Sequence, residues 1–104
     1  MKRYRVEYAA RAEAQVVAVS RWWAENRRDS PTLFTEELAA VFEGLLETSP
    51  LSGAPFPASR PRDVRRVLLG RSRYHVYYTV DQDAGRVIVR AVWHAARGRG
   101  PRLT

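Results

Sequence analysis

The stretch "VRRVLLGRSRYHVYYTVDQDAGRVIVRAVWHAARG", residues 64–98, decides the fold. It contains three runs rich in β-branched and aromatic residues, at 64–69, 74–80 and 86–93, and such runs are typical of β-strands. The connection "GRSR" is tight, and "DQDAG" is rich in the residues that hairpin turns favour. A short turn brings each strand back alongside the previous one, so the strands form an antiparallel meander. We therefore expect an antiparallel sheet in the C-terminal half.

The N-terminal part of the chain predicts one more strand followed by two helices. The run "RYRVEY" alternates polar and apolar residues, which indicates a half-buried strand over residues 3–8. From residue 10 to about residue 26 the apolar residues recur with helical spacing. Ser30 suits the N-cap and Pro31 the first position of a second helix, which ends before Pro50. Because their connection is short, the two helices are expected to pack as an antiparallel hairpin.

These elements together predict one domain of the α+β class over residues 1–104. Their order is β-α-α-β-β-β, and the economical arrangement is an antiparallel sheet with the N-terminal helical hairpin packed on one face. Residues 49–63 hold four of the six prolines and show no periodicity, so they are interpreted as a loop. Leu51 and Phe56 are the side chains expected to hold this loop against the domain.

The alternation of the strands also predicts which side chains face the helices. On the covered face of the sheet we expect Tyr74, Val76, Tyr78, Val87, Val89, Ala91 and Trp93. On the opposite face we expect His75, Tyr77, Arg90 and His94. A sheet face that presents aromatic and cationic side chains without a covering helix is a candidate binding surface.

The chain has a formal net charge of +7, and the positive charge is concentrated in its second part. Residues 60–104 contain eleven arginines against three aspartates, whereas residues 1–59 are nearly balanced. A basic half of this density favours an acidic partner, either nucleic acid or an acidic protein segment. A compact contact patch is expected from the arginines of one strand and its turn, namely Arg65, Arg66, Arg71 and Arg73. The alternative is a solvated basic face without a partner.

Composition argues against several kinds of site. There is no cysteine, which excludes disulfides, thiolate metal ligands and cysteine nucleophiles. Neither histidine has the spacing of a metal pair with Asp81 and Asp83, so no metal and no cofactor are expected. The chain has no long apolar run and no apolar leader, so we expect a cytoplasmic protein without membrane contact. The Trp22–Trp23 pair is interpreted as core packing.

The order and spacing of these elements resemble the RelE/ParE superfamily of toxins from bacterial type II toxin–antitoxin systems. The similarity runs from about residue 4 to residue 103 and includes the helices "AEAQVVAVSRWWAEN" and "PTLFTEELAAVFEGLLETSP". Its most specific part is a basic strand, a short turn, the strand "RY-x-V-x-Y", an acidic-Gly turn, an apolar strand and "H-x-A-R". The resemblance implies the fold described above, a role in plasmid stabilisation, and neutralisation by a cognate acidic antitoxin. Such a partner can lay a helix in a groove or add a strand to a sheet edge.

The superfamily contains two unlike activities. ParE-like members inhibit growth by binding DNA gyrase, whereas RelE-like members cut mRNA in the ribosomal A site. RNA cleavage needs a base, an acid and cations that stabilise the phosphorane. Against the RelE pattern, Arg66 and Arg97 match two cationic positions, but Leu68 replaces a basic residue. His75 stands where an arginine is expected, and no tyrosine follows Tyr78.

A second type of nuclease in the superfamily combines a glutamate before the second strand with a late histidine. The loop here has no acidic residue before Asp63, although His94 matches the histidine. Since about half of either catalytic set is missing, the resemblance favours the ParE-like branch and a protein that acts by binding. The residues assigned to target or antitoxin binding are Arg65, Arg66, Arg71, Arg73, Arg90, His94, Arg97 and Arg99.

Two alternatives remain. The first is an mRNA endoribonuclease that acts with the ribosome, with His94, Arg66, Arg97 and His75 as its catalytic residues. The second is a small basic nucleic-acid-binding or scaffold module, which explains the charge but not the order of the motifs.

Overall fold

The computed structural model of the protein describes residues 3–57 and 61–103. Residues 58–60 of the predicted loop lie outside this range. Two helices follow the first strand, and four strands follow the helices. Their bounds are β1 (Arg5–Tyr8), α1 (Ala10–Asn26), α2 (Leu33–Val41), β2 (Ala54–Pro55), β3 (Arg65–Leu68), β4 (Tyr74–Asp81) and β5 (Arg86–His94). A π-helical turn, Phe42–Leu46, extends α2, and a 3-10 turn, Pro50–Ser52, precedes β2.

The second helix begins slightly later than the sequence predicts. Its N-cap is Thr32 rather than Ser30, and Leu33 is its first residue. Ser30 instead accepts the backbone N–H of Leu33 through its carbonyl oxygen, at 3.3 Å, within a turn that precedes the helix. No helix among residues 3–57 and 61–103 is both long enough and apolar enough to cross a membrane.

The sheet has five strands in the order β1-β5-β4-β3-β2. The predicted meander is confirmed, because β3 pairs antiparallel with β4 and β4 with β5. The α+β class and the helical hairpin are confirmed as well, but the sheet is mixed rather than wholly antiparallel. Strand β1 pairs parallel with β5, with Val6 opposite Val87. No short turn sets the direction of β1 relative to β5, so alternation predicts the strand and not its orientation. Strand β2, within the predicted loop, is an additional short edge strand that pairs antiparallel with β3.

The main core lies between the helical hairpin and one face of the sheet. It includes Phe34 and Leu38 of α2, Trp23 of α1 and the completely buried Tyr78 of β4. The Tyr78 hydroxyl donates a hydrogen bond of 2.6 Å to the carbonyl oxygen of Pro50. This buried bond, rather than Leu51, holds the loop against the domain at this point, since Leu51 is 44% exposed and the prediction for it was wrong.

A β-bulge reverses the alternation in the middle of β5. Tyr78 lies opposite Val89 but Tyr77 lies opposite Ala91, so Arg90 is the additional residue. A bulge places two residues against one and exchanges the faces of those that follow. Ala91 and Trp93 therefore lie with Tyr77 on the face away from the helices, where they were not expected. The predictions for Tyr74, Val76, Tyr78, Val87 and Val89 are confirmed.

The face away from the helices carries a second, smaller core. Phe56 and Leu103, which belongs to the segment after β5, pack there against Val64, Tyr77 and Ala91. Tyr77 is only 2% exposed, so the prediction that it forms part of an open binding face was wrong. The C-terminal segment has no periodic pattern that would predict this packing. The expected role of Phe56 is confirmed, because its ring meets the Tyr77 ring edge-on with centroids 4.9 Å apart.

Candidate functional site

A groove of about 230 Å³ opens beside the second core, where the ends of β4 and β5 meet the C-terminal segment. We call it the cationic groove. Its charged and titratable lining residues are Arg66, His75, His94, Arg97 and Arg99. All four residues named for an endoribonuclease therefore line one groove. The aromatic rings of Phe56, Tyr77 and Trp93 also form part of its wall.

Arg66 is held in place by aromatic side chains rather than by a carboxylate. Its guanidinium carbon lies 5.0 Å from the centroid of the Phe56 ring and 5.9 Å from that of Tyr77. Nη1 of Arg66 also donates to the Tyr77 hydroxyl at 3.3 Å. Cation–π contacts orient a guanidinium without neutralising it, so Arg66 keeps its charge available to an anion.

The C-terminal segment positions the second arginine of the groove. The guanidinium carbon of Arg97 lies 4.0 Å from the centroid of the Trp93 ring. The indole N–H of Trp93 donates to the carbonyl oxygen of Arg99 at 2.6 Å, which folds the segment back over the ring. Trp93 was predicted to be a core residue under the helices, so its role as a support for Arg97 was missed.

His75 stands between two arginines. Partial burial, together with the positive charges of Arg66 and Arg73, lowers the pKa of His75 below its ordinary value of 6.5. The imidazole is therefore neutral at pH 7 and can accept a proton or a hydrogen bond. Its ring meets that of Tyr77 at 6.0 Å between centroids.

His94 lies at the end of β5, between the cationic groove and the helices. Its ring packs edge-on against Tyr74 at 5.0 Å between centroids. The backbone N–H of Ala96 donates to Nδ1 at 3.0 Å, so Nδ1 acts as a hydrogen-bond acceptor. The prediction that His94 lies on the same face as Tyr77 was wrong, because the bulge turns its ring toward Tyr74.

The remaining predicted arginines do not join this groove. Arg65 points away from Arg66, and its Nη1 donates to the Gly53 carbonyl oxygen at 2.9 Å. Arg90 donates through Nε to Thr79 Oγ1 at 3.1 Å. Arg71 and Arg73 lie in the β3–β4 turn, close to the end of α1. The predicted compact patch of four arginines is therefore wrong, since successive residues of a strand face opposite sides.

A residue that the sequence did not single out organises the β3–β4 turn. The Glu37 carboxylate accepts the backbone N–H of Arg71 through Oε2 and that of Ser72 through Oε1, each at 2.8 Å. Desolvation opposes ionisation of Glu37, but the hydrogen bonds from Ser72 and Arg71 and the charge of Arg71 outweigh it and lower its pKa. Its position on α2 gives no sign of this contact, which arises only when the helix packs on the sheet.

A second, larger groove of about 630 Å³ lies between α1 and the end of β5, and we call it the α1–β5 groove. Apolar side chains dominate its walls, including Val19, Trp22 and Val92. Gln15 closes one side by accepting the Val92 backbone N–H at 2.9 Å. Of the tryptophan pair, Trp23 is buried as predicted, whereas Trp22 is 46% exposed and faces this groove.

Two solved structures share this fold. The chromosomal ParDE toxin–antitoxin system of P. aeruginosa superposes with a TM-score of 0.65 at 14% identity, covering 88% of this chain and 95% of the other. The isolated RelE toxin of E. coli superposes with a TM-score of 0.54 at 23% identity, covering 91% of this chain and 87% of the other. A search of curated proteins gives no match.

A family model describes the chain more specifically than these structures do. The model for the ParE toxin of the type II toxin–antitoxin system parDE matches residues 6–98. That range contains both helices, four of the five strands in full and most of β1, and the cationic groove up to Gly98. The chain belongs to the ParE toxin family of type II toxin–antitoxin systems.

Proposed function

We propose that this protein is a growth-inhibiting toxin that acts by binding DNA gyrase and is neutralised by a cognate acidic antitoxin. The observation that carries the proposal is the match to the ParE toxin family over residues 6–98. In such a role the protein contributes to plasmid stabilisation.

The charges of the cationic groove are consistent with inhibition by binding. Arg66 and Arg97 are each held over aromatic rings, and no aspartate or glutamate appears among the described residues that line the groove. Guanidinium groups that are already oriented lose little conformational freedom when they bind an acidic surface. The groove therefore offers a rigid, positively charged contact to a protein target.

One observation favours a second candidate, ribosome-dependent mRNA cleavage. Arg66, His75, His94 and Arg97 line the same groove, although they come from three strands and the C-terminal segment. In that reaction a neutral histidine takes the proton of the RNA 2′-hydroxyl, and the 2′-oxygen bonds to phosphorus. The bond between phosphorus and the 5′-oxygen breaks, and the 5′-oxygen takes up a proton from solvent water. The two arginines stabilise the phosphorane charge.

A pair of assays on the purified protein separates the two candidates. We expect inhibition of gyrase supercoiling and no cleavage of mRNA on stalled ribosomes. Arg66→Gln and Arg97→Gln should each weaken the inhibition, whereas Arg62→Gln, which changes an exposed arginine outside the groove, serves as the matched control. Cleavage that is lost in His94→Ala or His75→Ala would contradict gyrase binding and establish the nuclease.

The antitoxin is tested in cells. Induced expression should arrest bacterial growth, and co-expression of the adjoining reading frame should restore it. Growth that continues at normal rate despite soluble, folded protein would contradict the toxin proposal as a whole.

A further inference from the structure

A third pocket, of about 350 Å³, lies at the C-terminal end of α1 and beside the β3–β4 turn. We call it the Trp23 pocket. The lining residues on which the argument rests are Trp22, Trp23, Arg27, Arg71 and Arg73. It meets the cationic groove at His94, which lines both. Arg27 was not among the predicted binding residues.

Trp23, which lines this pocket, carries a buried hydrogen-bond donor that lacks an acceptor. Trp23 is 8% exposed, and its Nε1 has no hydrogen-bond partner within the described part of the chain. A buried N–H without a partner destabilises the fold, and such groups are rare in folded proteins. The indole N–H is therefore a candidate donor to a ligand that enters the pocket.

The charge around this donor is positive. Three guanidinium groups line the pocket, and the guanidinium carbon of Arg27 lies 5.7 Å from the Trp22 ring and 5.8 Å from the Trp23 ring. The ion pairs found within residues 3–57 and 61–103 take their cations from Arg3, Arg5 and Arg86. Glu37 adds one negative charge near Arg71, but its carboxylate is occupied by the backbone N–H groups of the turn. The pocket thus favours an anionic group.

The neighbourhood of the pocket indicates what carries that anionic group. Trp22, Tyr74 and His94 line both the Trp23 pocket and the apolar α1–β5 groove, so the two are continuous. A peptide with apolar side chains next to a carboxylate matches an apolar groove that continues into a cationic pocket. A nucleic acid has no apolar segment of comparable size to fill the larger groove. The net charge of +7 favours an acidic partner of either kind, so it is the apolar groove that favours the peptide.

We propose that the Trp23 pocket binds a glutamate or aspartate side chain of an acidic peptide segment whose apolar residues occupy the α1–β5 groove. The carboxylate accepts the Trp23 indole N–H and is paired with Arg27, Arg71 and Arg73. This inference rests on the proposed function, because the segment is assigned to the antitoxin.

The indole N–H signals of the three tryptophans test the proposal directly by ¹H–¹⁵N NMR, once single Trp→Phe variants have assigned them. The probes are a blocked peptide with a short apolar run followed by two glutamates, the same peptide with two glutamines, inorganic phosphate, and a short single-stranded RNA. We expect the glutamate peptide to move the Trp23 signal downfield with saturation and to bind about fivefold or more tightly than the glutamine peptide.

Arginine variants then test which guanidinium groups bind the carboxylate. The affinity for the glutamate peptide should fall about threefold to tenfold in each of Arg27→Gln, Arg71→Gln and Arg73→Gln. It should be unchanged in Arg62→Gln. Unchanged melting temperatures show that each variant is folded. Equal binding of the two peptides, an unmoved Trp23 signal, or a response to RNA or phosphate without one to the glutamate peptide would overturn the proposal.

The outcome is independent of the toxin assays. If the chain does not arrest growth but the Trp23 signal titrates with the glutamate peptide, the proposed function fails and the carboxylate site stands. If growth arrest and rescue occur without that titration, the site fails and the proposed function stands.

Discussion

The guanidinium carbon of Arg97 lies 4.0 Å from the centroid of the Trp93 ring, and the same indole holds the carbonyl oxygen of Arg99 at 2.6 Å. One side chain therefore both orients a cation of the groove and anchors the segment that carries it. A cation–π contact of this kind contributes on the order of 0.5–1 kcal/mol at an exposed site.

Replacing Trp93 tests this arrangement. Trp93→Phe keeps an aromatic ring but removes the N–H, so we expect a loss of about 1 kcal/mol in the free energy of unfolding. Amide hydrogen exchange over residues 97–103 should accelerate, because the segment loses its anchor. Trp22→Phe, at a half-exposed position, should change stability by less than about 0.5 kcal/mol. Equal effects of the two substitutions in urea unfolding would contradict this account.

The contact between Tyr78 and the loop predicts a non-additive pair of substitutions. A Cβ on Gly53 would lie 1.9 Å from the Tyr78 hydroxyl oxygen, and Tyr78 is completely buried. Gly53→Ala should therefore cost about 1–3 kcal/mol through overpacking. Tyr78→Phe should cost about 1–3 kcal/mol, because the Pro50 carbonyl loses its partner. Since the phenylalanine lacks the overlapping oxygen, the double variant should lose less than the sum, which urea unfolding measures.

Glu37 should make stability depend on acid pH. Its pKa is lowered in the folded protein from the ordinary value of 4.5, so the folded state binds fewer protons than the unfolded chain below that value. The contribution of its carboxylate is present above pH 4.5 and is lost as the pH falls through the lowered pKa. Glu37→Gln should destabilise the protein by about 1 kcal/mol at pH 7, and the difference from wild type should shrink in acid. A difference that stays constant down to pH 3 in thermal unfolding would rule this out.

His75 should make stability depend on pH in a range above that of Glu37. Its lowered pKa means that the unfolded chain takes up a proton near pH 6.5 while the folded protein does not. Stability should therefore fall as the pH drops below 6.5, until the lowered folded pKa is passed. His75→Gln removes this contribution, so its stability should decline less than that of wild type between pH 7 and pH 5. Parallel curves for the two proteins in chemical unfolding would contradict the prediction.

The local sequence pattern was sufficient to predict the helices, the main strands and the α+β class. The alternation in "RYRVEY", the helical spacing after residue 10 and the runs within residues 64–98 report short-range preferences of the backbone and the burial of one face. These preferences act between residues close in the chain, which is why helix α1 begins and ends where the sequence predicts. The family resemblance, carried by the order of the same motifs, was likewise confirmed by the match over residues 6–98.

The tertiary structure alone decided which side chains meet. One additional residue at Arg90 exchanges the faces of Ala91, Trp93 and His94, and an apolar strand buried on both sides gives no sign of such a bulge. The orientation of β1, the carboxylate of Glu37 on a distant turn and the unpartnered N–H of Trp23 arise from contacts between elements far apart in the chain. The chain's own preferences set which segments become strands and helices, whereas the geometry of their packing set which of its arginines share a site.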